Sequence, residues 1–353
     1  MRALNDILVS TFPEAIIKKP HVYIKEISNC LAKKCGGQSF VRIDVENFFP
    51  SIDRTILFKQ VQKRIRKKSL KYILETAVTN ETSGLENTGK GVPQGLSISN
   101  ILSSINLTEL DKKLRKKYQY FRYVDDILVI CSTKRSRDVF YEIESELNAL
   151  GLTCHSPGTE GKSSISAVSK GVEYLGFHIT PENISVRHTS YLRMFEKLLG
   201  VLTTHKHRES KKKNDGMLVW RLNFKITGCR YQGKRFGWMF FFSQIDNLRQ
   251  LGRLDAFVNR ELNIRGLSSL RPNIKKFIKS YHEIRNNLKQ TTYIPNYDDY
   301  DIEDMIHELV QAEGNDESYY RSRMTKENVE ARFHKLIGRH TRMLEQDLIE
   351  LRS

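Results

Sequence analysis

The feature that most constrains this fold is a pair of adjacent carboxylates, Asp125 and Asp126, within an otherwise apolar segment at residues 121–130. Apolar residues precede the pair and a β-branched run follows it, which predicts a strand, a tight turn and a second strand. Neighbouring like charges are unfavourable unless they face water or a cation. A solvent-exposed hairpin turn would be the simpler interpretation of an isolated pair.

A second acidic strand changes that interpretation. Val41, Ile43 and Val45 alternate with Arg42 and Asp44, so one strand face is predicted to join the core and the other to carry the acid. Between the two acidic strands, a Gly/Pro-containing loop at residues 90–100 opens a predicted helix. Two acidic strands that frame such a loop favour a catalytic interpretation.

These three segments, in this order, resemble motifs A, B and C of reverse transcriptases. The sequence Tyr123-Val124-Asp125-Asp126 is similar to the family's Tyr-X-Asp-Asp box. The resemblance covers about residues 38–260. It implies an α+β fold with the palm of a right-hand polymerase, reduced fingers and a helical thumb. The order of predicted elements likewise favours an antiparallel sheet with helices on one face.

The expected domains follow from this resemblance. Residues 1–38 would form reduced fingers, 39–185 the palm with motifs A to E, 186–290 the helical thumb, and 291–353 an acidic linker with a C-terminal helical tail. Residues 172–179 resemble motif E. Members of the family usually carry a longer region before motif A. We therefore expect the fingers function to be reduced or to be supplied by a partner or an RNA.

Net charge indicates the class of partner. The formal charge is +17, and such an excess favours binding to a polyanion. Charge alone does not distinguish RNA from DNA or from an acidic membrane. No apolar run of about 18 residues is present, so no transmembrane helix is expected. No signal-peptide pattern opens the chain, and the expected compartment is the cytoplasm. The five cysteines lack paired spacing, which argues against structural zinc.

The acids also suggest a reaction. Nucleotidyl transfer uses two divalent ions about 4 Å apart, and Mg²⁺ prefers oxygen ligands. We predict that Asp44 and Asp125 bridge two Mg²⁺ ions, with Mn²⁺ as a substitute. Asp126 would complete the acidic site and contribute to metal binding less directly. By resemblance, the carbonyl of Val45 is a further metal ligand.

The resemblance also implies a set of nucleotide contacts. Phe49 stands five residues after Asp44, where the family places an aromatic gate that excludes a 2′-hydroxyl. Phe48 is expected in the core, although the sequence alone allows the two rings to exchange roles. Gln94 and Gly95 match the motif B pair that supports the template and the nascent base pair.

Two further assignments concern the ends of the nucleotide site. Tyr123, from the Tyr-X-Asp-Asp box, is expected to contact the nucleotide. Lys162 is a candidate general acid for the departing pyrophosphate, and His155 is its competitor.

Two other segments each have two interpretations. The basic run at residues 63–68 falls within a helical pattern predicted over residues 53–74. It would form either a solvated helix face or a phosphate-binding surface. The aromatic segment at residues 236–242 is expected to pack in the core of the thumb, with a stacking surface for single strands as the alternative.

Within the family, the resemblance is to bacterial retron and group II intron enzymes, and most closely to defence-associated reverse transcriptases. This implies an RNA-directed DNA polymerase in anti-phage defence, with a noncoding RNA, an RNA template, dNTPs and a DNA product. A homo-oligomer or a partner protein is also expected. One alternative is a retroelement reverse transcriptase of the retron or intron type. The second is an RNA-binding subunit with little activity of its own.

Overall fold

A four-stranded antiparallel sheet organises the N-terminal half of the chain. Its strands are β1 Gln38–Asp44, β2 Gln119–Tyr123, β3 Asp126–Ser132 and β4 Ser164–Ala167. They lie in the order β2-β3-β1-β4, and every pairing is antiparallel. The computed structural model describes residues 1–32, 36–79, 89–93, 95–159, 162–206 and 214–352. It divides into two units, Met1–Val172 and Glu173–Ser353.

Helices pack on the sheet of the first unit. They are α1 Arg2–Thr11, α2 Pro20–Leu31, α3 Phe48–Ser51, α4 Arg54–Gln62, α5 Lys68–Thr79, α6 Ser99–Lys117 and α7 Ser136–Asn148. One sheet face, with Val41 and Ile43 of β1 and Ile127 and Val129 of β3, shares a single core with α6 and α7. The predicted alternation of β1 and the expected α+β class are both confirmed.

The single helix expected over residues 53–74 is wrong, because the structure forms two helices, α4 and α5. Asp53 caps α4 by accepting from the backbone N–H groups of Thr55 and Ile56. The basic run lies at the junction, where Ile65 is buried and Arg64 pairs with Glu14 at 2.6 Å. The basic run therefore does not form one continuous helix face. Arg64, which pairs with Glu14, is not fully available to bind phosphates.

The second unit begins with a small sheet. Its strands are β5 Val172–Tyr174, β6 Phe177–Ile179 and β7 Ile184–Val186, so the unit boundary falls within β5. Backbone N–H groups of Ile184 and Val186 donate to the side chains of Asp246 and Gln250, each at 2.8 Å. These bonds tie the sheet to the helical part of the second unit. The palm boundary expected at residue 185 stays a prediction.

The rest of the second unit is mainly helical. Its elements are α8 His188–Lys206, α9 Asp215–Thr227, β8 Cys229–Tyr231, β9 Lys234–Phe236, α10 Trp238–Phe241, α11 Leu248–Ile264, α12 Phe277–Asn286, α13 Ile302–Glu313, α14 Glu317–Arg323 and α15 Lys326–Arg352. Within the aromatic segment, Phe236, Trp238 and Phe242 are buried, which confirms core packing for these rings. Across the described ranges, none of the helices has the length and apolar character needed to cross a membrane.

The C-terminal segment does not form the expected acidic linker. The Asp298 carboxylate accepts from the backbone N–H groups of Gln232 at 2.5 Å and Gly233 at 2.9 Å. Asp301 caps α13 through a capping box. A core shared by α9, α13 and α15 includes Phe333 of the last helix. Asp298 therefore binds the turn of the β8–β9 hairpin, and Asp301 begins α13.

Candidate active site

Strand register brings the predicted acids to one end of the first sheet. Asp44, the last residue of β1, lies directly opposite Asp126, the first residue of β3. Residues paired in this way have Cβ atoms about 4.5–5.5 Å apart. The backbone N–H of Val45 donates to the Asp125 carbonyl at 3.3 Å. The three carboxylates that the sequence singled out are therefore neighbours.

A strained turn presents Asp125 between β2 and β3. Tyr123 pairs with Asp126, which leaves Val124 and Asp125 as a two-residue loop. Val124 has φ 57°, a left-handed conformation. Glycine usually occupies the first central position of such a hairpin, and a β-branched residue with positive φ is a real outlier. Conformations of this kind cost about 1–3 kcal/mol and persist where surrounding contacts impose them.

Asp126 is held by Arg42 from the neighbouring strand. The Arg42 Nε and Nη2 atoms donate to its two carboxylate oxygens, each at 2.9 Å. Their side chains are only 13% and 14% exposed. Burial raises the pKa of Asp126 to about 6, Arg42 opposes the shift, and the nearby charges of Asp125 and Asp44 add to it. Arg42 therefore binds both carboxylate oxygens of Asp126, the residue that the sequence suggested as a third, less direct metal ligand.

The ionised form of Asp125 is disfavoured in the absence of a cation. Burial raises its pKa, and the neighbouring Asp44 carboxylate contributes in the same direction. Lys162 and Arg42 oppose this shift. The ionised form of Asp125 would gain stability from a divalent ion placed between it and Asp44.

Asp44 already contacts two cationic or protonatable groups. Its Oδ2 atom lies 3.1 Å from Lys162 Nζ and 3.4 Å from His155 Nε2. The other ring nitrogen of His155 lies 3.3 Å from a Glu46 carboxylate oxygen. Both candidates for the general acid therefore reach the Asp44 carboxylate.

The donor set fits Mg²⁺ or Mn²⁺. Asp44 and Asp125 offer carboxylate oxygens, and Mg²⁺ typically takes one or two protein carboxylates plus waters and substrate phosphates. Among the described residues, no group of three or more His, Cys, Asp or Glu side chains is assembled to hold a metal. Both carboxylate oxygens of Asp126 accept hydrogen bonds from Arg42.

The two aromatic rings after Asp44 have different environments. Phe48 is 3% exposed and lies in the core, as expected, whereas Phe49 is only partly buried. Their ring centroids are 5.5 Å apart. The Phe49 carbonyl accepts from the backbone N–H of Val92 at 2.8 Å, which joins the end of motif A to the motif B loop. Phe49 is thus the ring with surface available to a ligand.

The motif B loop is fixed to the segment that follows motif A. The Nε atom of Arg54, a buried side chain, donates to the Gly91 carbonyl at 2.8 Å. Gly95 is exposed with φ 89°, a conformation that favours glycine, and a Cβ at this position would have no neighbour within 4 Å. Gln94 lies outside the described residues. Tyr123 makes an edge contact with Tyr23 at 6.2 Å between centroids.

Sequence reasoning missed a buried ion pair beneath the turn. Arg122 of β2 and Asp111 of α6 are each 4% exposed in their side chains. The available signal was a cation between Phe121 and Tyr123 in an apolar strand, because charged side chains are rarely buried unless they are paired. The sequence also left Arg42 without a role. Its partner, Asp126, is 84 residues away.

Comparisons with known proteins agree with this geometry. Residues 1–179 match the family described as Reverse transcriptase (RNA-dependent DNA polymerase). Among curated proteins, the chain is 24% identical over 190 residues to the retron Ec48 reverse transcriptase of Escherichia coli. It is 31% identical over 84 residues to a putative COX1/OXI3 intron 2 protein of Saccharomyces cerevisiae. These matches cover 52% and 23% of this chain, but only 38% and 10% of the respective relatives.

Solved structures that resemble the chain include two telomerases. One is telomerase from Candida albicans in complex with a fragment of telomeric RNA, with 13% identity and a TM-score of 0.43. The match covers 98% of this chain and 57% of that one. The other is apo telomerase from Candida tropicalis, with 12% identity and a TM-score of 0.39, covering 93% of this chain and 59% of that one.

Proposed function

This chain belongs to the reverse transcriptase family, and we propose that it is an RNA-directed DNA polymerase dependent on two Mg²⁺ ions. The observation that carries the proposal is the meeting of Asp44 and Asp125 at one end of the sheet, beside a strained turn. Two partly buried carboxylates that repel each other are suited to a dication.

Each acid has a distinct part in the proposed chemistry. Asp44, Asp125 and the Val45 carbonyl would hold the ions. When bound, the ions activate the primer 3′-hydroxyl and stabilise the departing pyrophosphate. Asp126, which is hydrogen-bonded to Arg42, would add to the negative potential of the site and hold the start of β3 beside Asp44.

The nucleotide would be selected by residues other than the acids. We assign the gate against a 2′-hydroxyl to Phe49, the more exposed of the two rings. Gln94 and Gly95 would support the template and the nascent base pair. Tyr123, beside the metal ligands in sequence, would contact the nucleotide. Gly95 suits this task because its missing Cβ allows close approach.

Two residues are candidates for donating a proton to pyrophosphate, Lys162 and His155. We assign this role to Lys162, whose ammonium lies nearer to Asp44 than the His155 ring does. An ammonium at this position would be freed from Asp44 once a metal neutralises the carboxylate. His155 remains the alternative because it faces the same oxygen atom.

Membership of the reverse transcriptase family also suggests the domains and the partner of the chain. We propose that the first sheet is the palm, residues 1–38 the reduced fingers, and the helical part of the second unit the thumb. The net charge of +17 favours an RNA partner. The retron relative supports a bacterial enzyme with an associated noncoding RNA, and the proposal includes a cytoplasmic role in anti-phage defence.

A second candidate function is a retroelement enzyme that copies its own RNA. This candidate is favoured by the similarity to a yeast intron protein, which extends over 84 residues. The two candidates differ in the template and not in the chemistry. The nucleic acid bound by the native protein therefore distinguishes them.

The test is template-dependent synthesis by the whole chain. The purified protein would receive a primed RNA of known sequence, the four dNTPs and Mg²⁺, and both the product and any copurifying nucleic acid would be sequenced. We expect DNA complementary to the RNA. Absence of product on every primed RNA, including the copurified one, would overturn the proposal and leave an RNA-binding subunit.

A further inference from the structure

A buried network lies beneath the turn that carries Asp125. The Arg122 Nε and Nη2 atoms donate to the two carboxylate oxygens of Asp111 at 2.7 and 2.6 Å. The Tyr120 hydroxyl donates to the same carboxylate at 2.8 Å. Arg115, which is 47% exposed, approaches it to 3.8 Å. The Arg122–Asp111 pair is thus a rigid, bidentate contact between β2 and α6.

The third nitrogen of the same guanidinium reaches the turn itself. Arg122 Nη1 donates to the carbonyl of Val124 at 2.8 Å. Val124 is the residue with φ 57°, and its carbonyl belongs to the peptide group that leads into Asp125. The direction of that peptide therefore depends on a guanidinium that Asp111 holds in place.

The ionised state of this network is secure. Burial alone would lower the pKa of Arg122, but the adjacent Asp111 carboxylate outweighs burial and raises it. The planar fork of arginine can bond a carboxylate along one edge and a carbonyl with its remaining nitrogen, whereas a lysine ammonium lacks this geometry. Replacing a buried ion pair by apolar residues of similar volume is often neutral or stabilising, so fold stability alone does not account for the pair.

We propose that Arg122 and Asp111 are positioning residues that hold the Val124–Asp125 peptide in its strained conformation and so aim Asp125 at the metal site. This inference rests on the proposed polymerase function and names residues outside its metal and nucleotide contacts. Neither side chain touches substrate. Partners of this kind, behind a metal ligand, typically change metal affinity or activity about 10–100-fold when they are removed.

The central variant is Asp111→Leu with Arg122→Met, which removes both buried charges together and leaves neither unpaired. Arg122→Lys keeps the positive charge but not the fork. Tyr120→Phe is the matched control, because it removes a third bond to Asp111 while leaving the contact between Arg122 and Val124 intact. Urea unfolding midpoints would be measured for all variants alongside the activity.

Two readouts test the proposal. One is kcat and KM for dNTP on a primed RNA, and the other is the Kd for Mn²⁺ measured by electron paramagnetic resonance without nucleotide. For the double variant we expect kcat to fall at least about tenfold with KM unchanged, and Mn²⁺ binding to weaken about tenfold. Arg122→Lys should show the same pattern, and Tyr120→Phe should match the wild type.

Each outcome decides the question. Wild-type kcat and Mn²⁺ affinity in the double variant would overturn the inference while leaving the polymerase proposal intact. Losses that follow the unfolding midpoint across all variants would also overturn it, since they would show a purely structural role. If the double variant does not fold, Arg122→Lys is judged by the same criteria. An inactive wild type would refute the proposed function alone, because the Mn²⁺ comparison still tests positioning.

Discussion

The three carboxylates at the end of the sheet have three different environments. Asp44 faces Lys162 and His155, Asp125 lies in a strained turn, and Asp126 is gripped by Arg42. A dication between Asp44 and Asp125 would take over the charge compensation that Lys162 now provides to Asp44. Asp126 can keep its bonds to Arg42 throughout, so we propose that it positions the start of β3.

The partly buried ring of Phe49 leads to a prediction about sugar choice. Phe49→Ala should lower the preference for dNTP over NTP, because only the bulk of the ring would exclude a 2′-hydroxyl. The quantity to measure is the ratio of kcat/KM for the two substrates, and we expect it to fall at least about tenfold, as a lost steric contact of 1–3 kcal/mol implies.

The matched control is Phe48→Leu, which changes the buried ring of the same pair. It should reduce stability and leave the substrate ratio near that of the wild type. A changed ratio in Phe48→Leu with an unchanged ratio in Phe49→Ala would assign the gate to the other ring.

For single residues, the sequence predicted which strand face a side chain lies on better than it predicted which side chain it contacts. Alternation along β1 was enough to place Val41, Ile43 and Asp44 on the correct faces. The Arg42–Asp126 contact depends on strand register between segments 84 residues apart. Arg122 and Asp111 meet because a helix returns along the sheet, a tertiary feature that local pattern does not contain.

Elements were predicted well where one face is apolar and less well at their ends. The spacing of Ile24, Ile27 and Leu31 in the sequence predicts a helix, and these residues form the buried face of α2. The helix expected over residues 53–74 is divided at residues 63–67, where Ile65 is buried and Arg64 pairs with Glu14. Such breaks are decided by contacts with another element rather than by helix propensity.

Gly228, which follows α9, gives a prediction at the scale of elements. Its φ is 64°, and a Cβ there would lie 2.0 Å from the Phe236 carbonyl oxygen. Gly228→Ala should therefore destabilise the protein by at least about 2 kcal/mol, through strain and collision with backbone. Urea unfolding followed by circular dichroism would measure the loss.

A glycine within α8 offers the opposite case. Gly200 is exposed, and a Cβ there meets nothing within 4 Å. Gly200→Ala should stabilise the protein by about 0.5–1 kcal/mol through helix propensity. Equal stability of the two variants would contradict the packing described between the end of α9 and the β8–β9 hairpin.

His340 of α15 makes the second unit sensitive to acid. It packs edge-on against Trp220 at 4.8 Å and Phe224 at 5.6 Å between centroids. Burial, with the cations of Arg221, Arg339 and Lys225, lowers the pKa of His340 to about 4. The unfolded chain, with a histidine pKa of about 6.5, binds a proton that the folded chain does not bind between these values.

Stability should therefore fall as pH drops from about 6.5 towards 4, by roughly 2 kcal/mol at pH 5 from this residue alone. Comparing urea midpoints at pH 7.5 and 5.0, His340→Gln should lose less stability than the wild type. His188→Gln, at an exposed position, should behave like the wild type. Identical pH dependence in His340→Gln and the wild type would contradict the burial of this ring.

At the scale of the whole molecule, charge leads to a prediction about assembly. A net charge of +17 on 353 residues favours a bound polyanion, with an affinity that falls steeply as salt increases. We expect native mass spectrometry of the purified protein to show a complex that loses mass on ribonuclease treatment. A nuclease-insensitive complex would indicate a protein partner or self-association, and an RNA-free, fully active monomer would contradict the expectation.

The proposal that Asp44 and Asp125 hold two catalytic metal ions is tested most directly by single-turnover primer extension on RNA. The variants to compare with the wild type are Asp44→Asn and Asp125→Asn. Neutral amides keep the shape of the site but remove the charge that would hold two dications, so several kcal/mol of transition-state stabilisation should be lost. We predict that both variants fold and unfold cooperatively but extend the primer on the order of a thousandfold more slowly in Mg²⁺. Wild-type extension rates in both variants would contradict the assignment of catalysis to these two carboxylates.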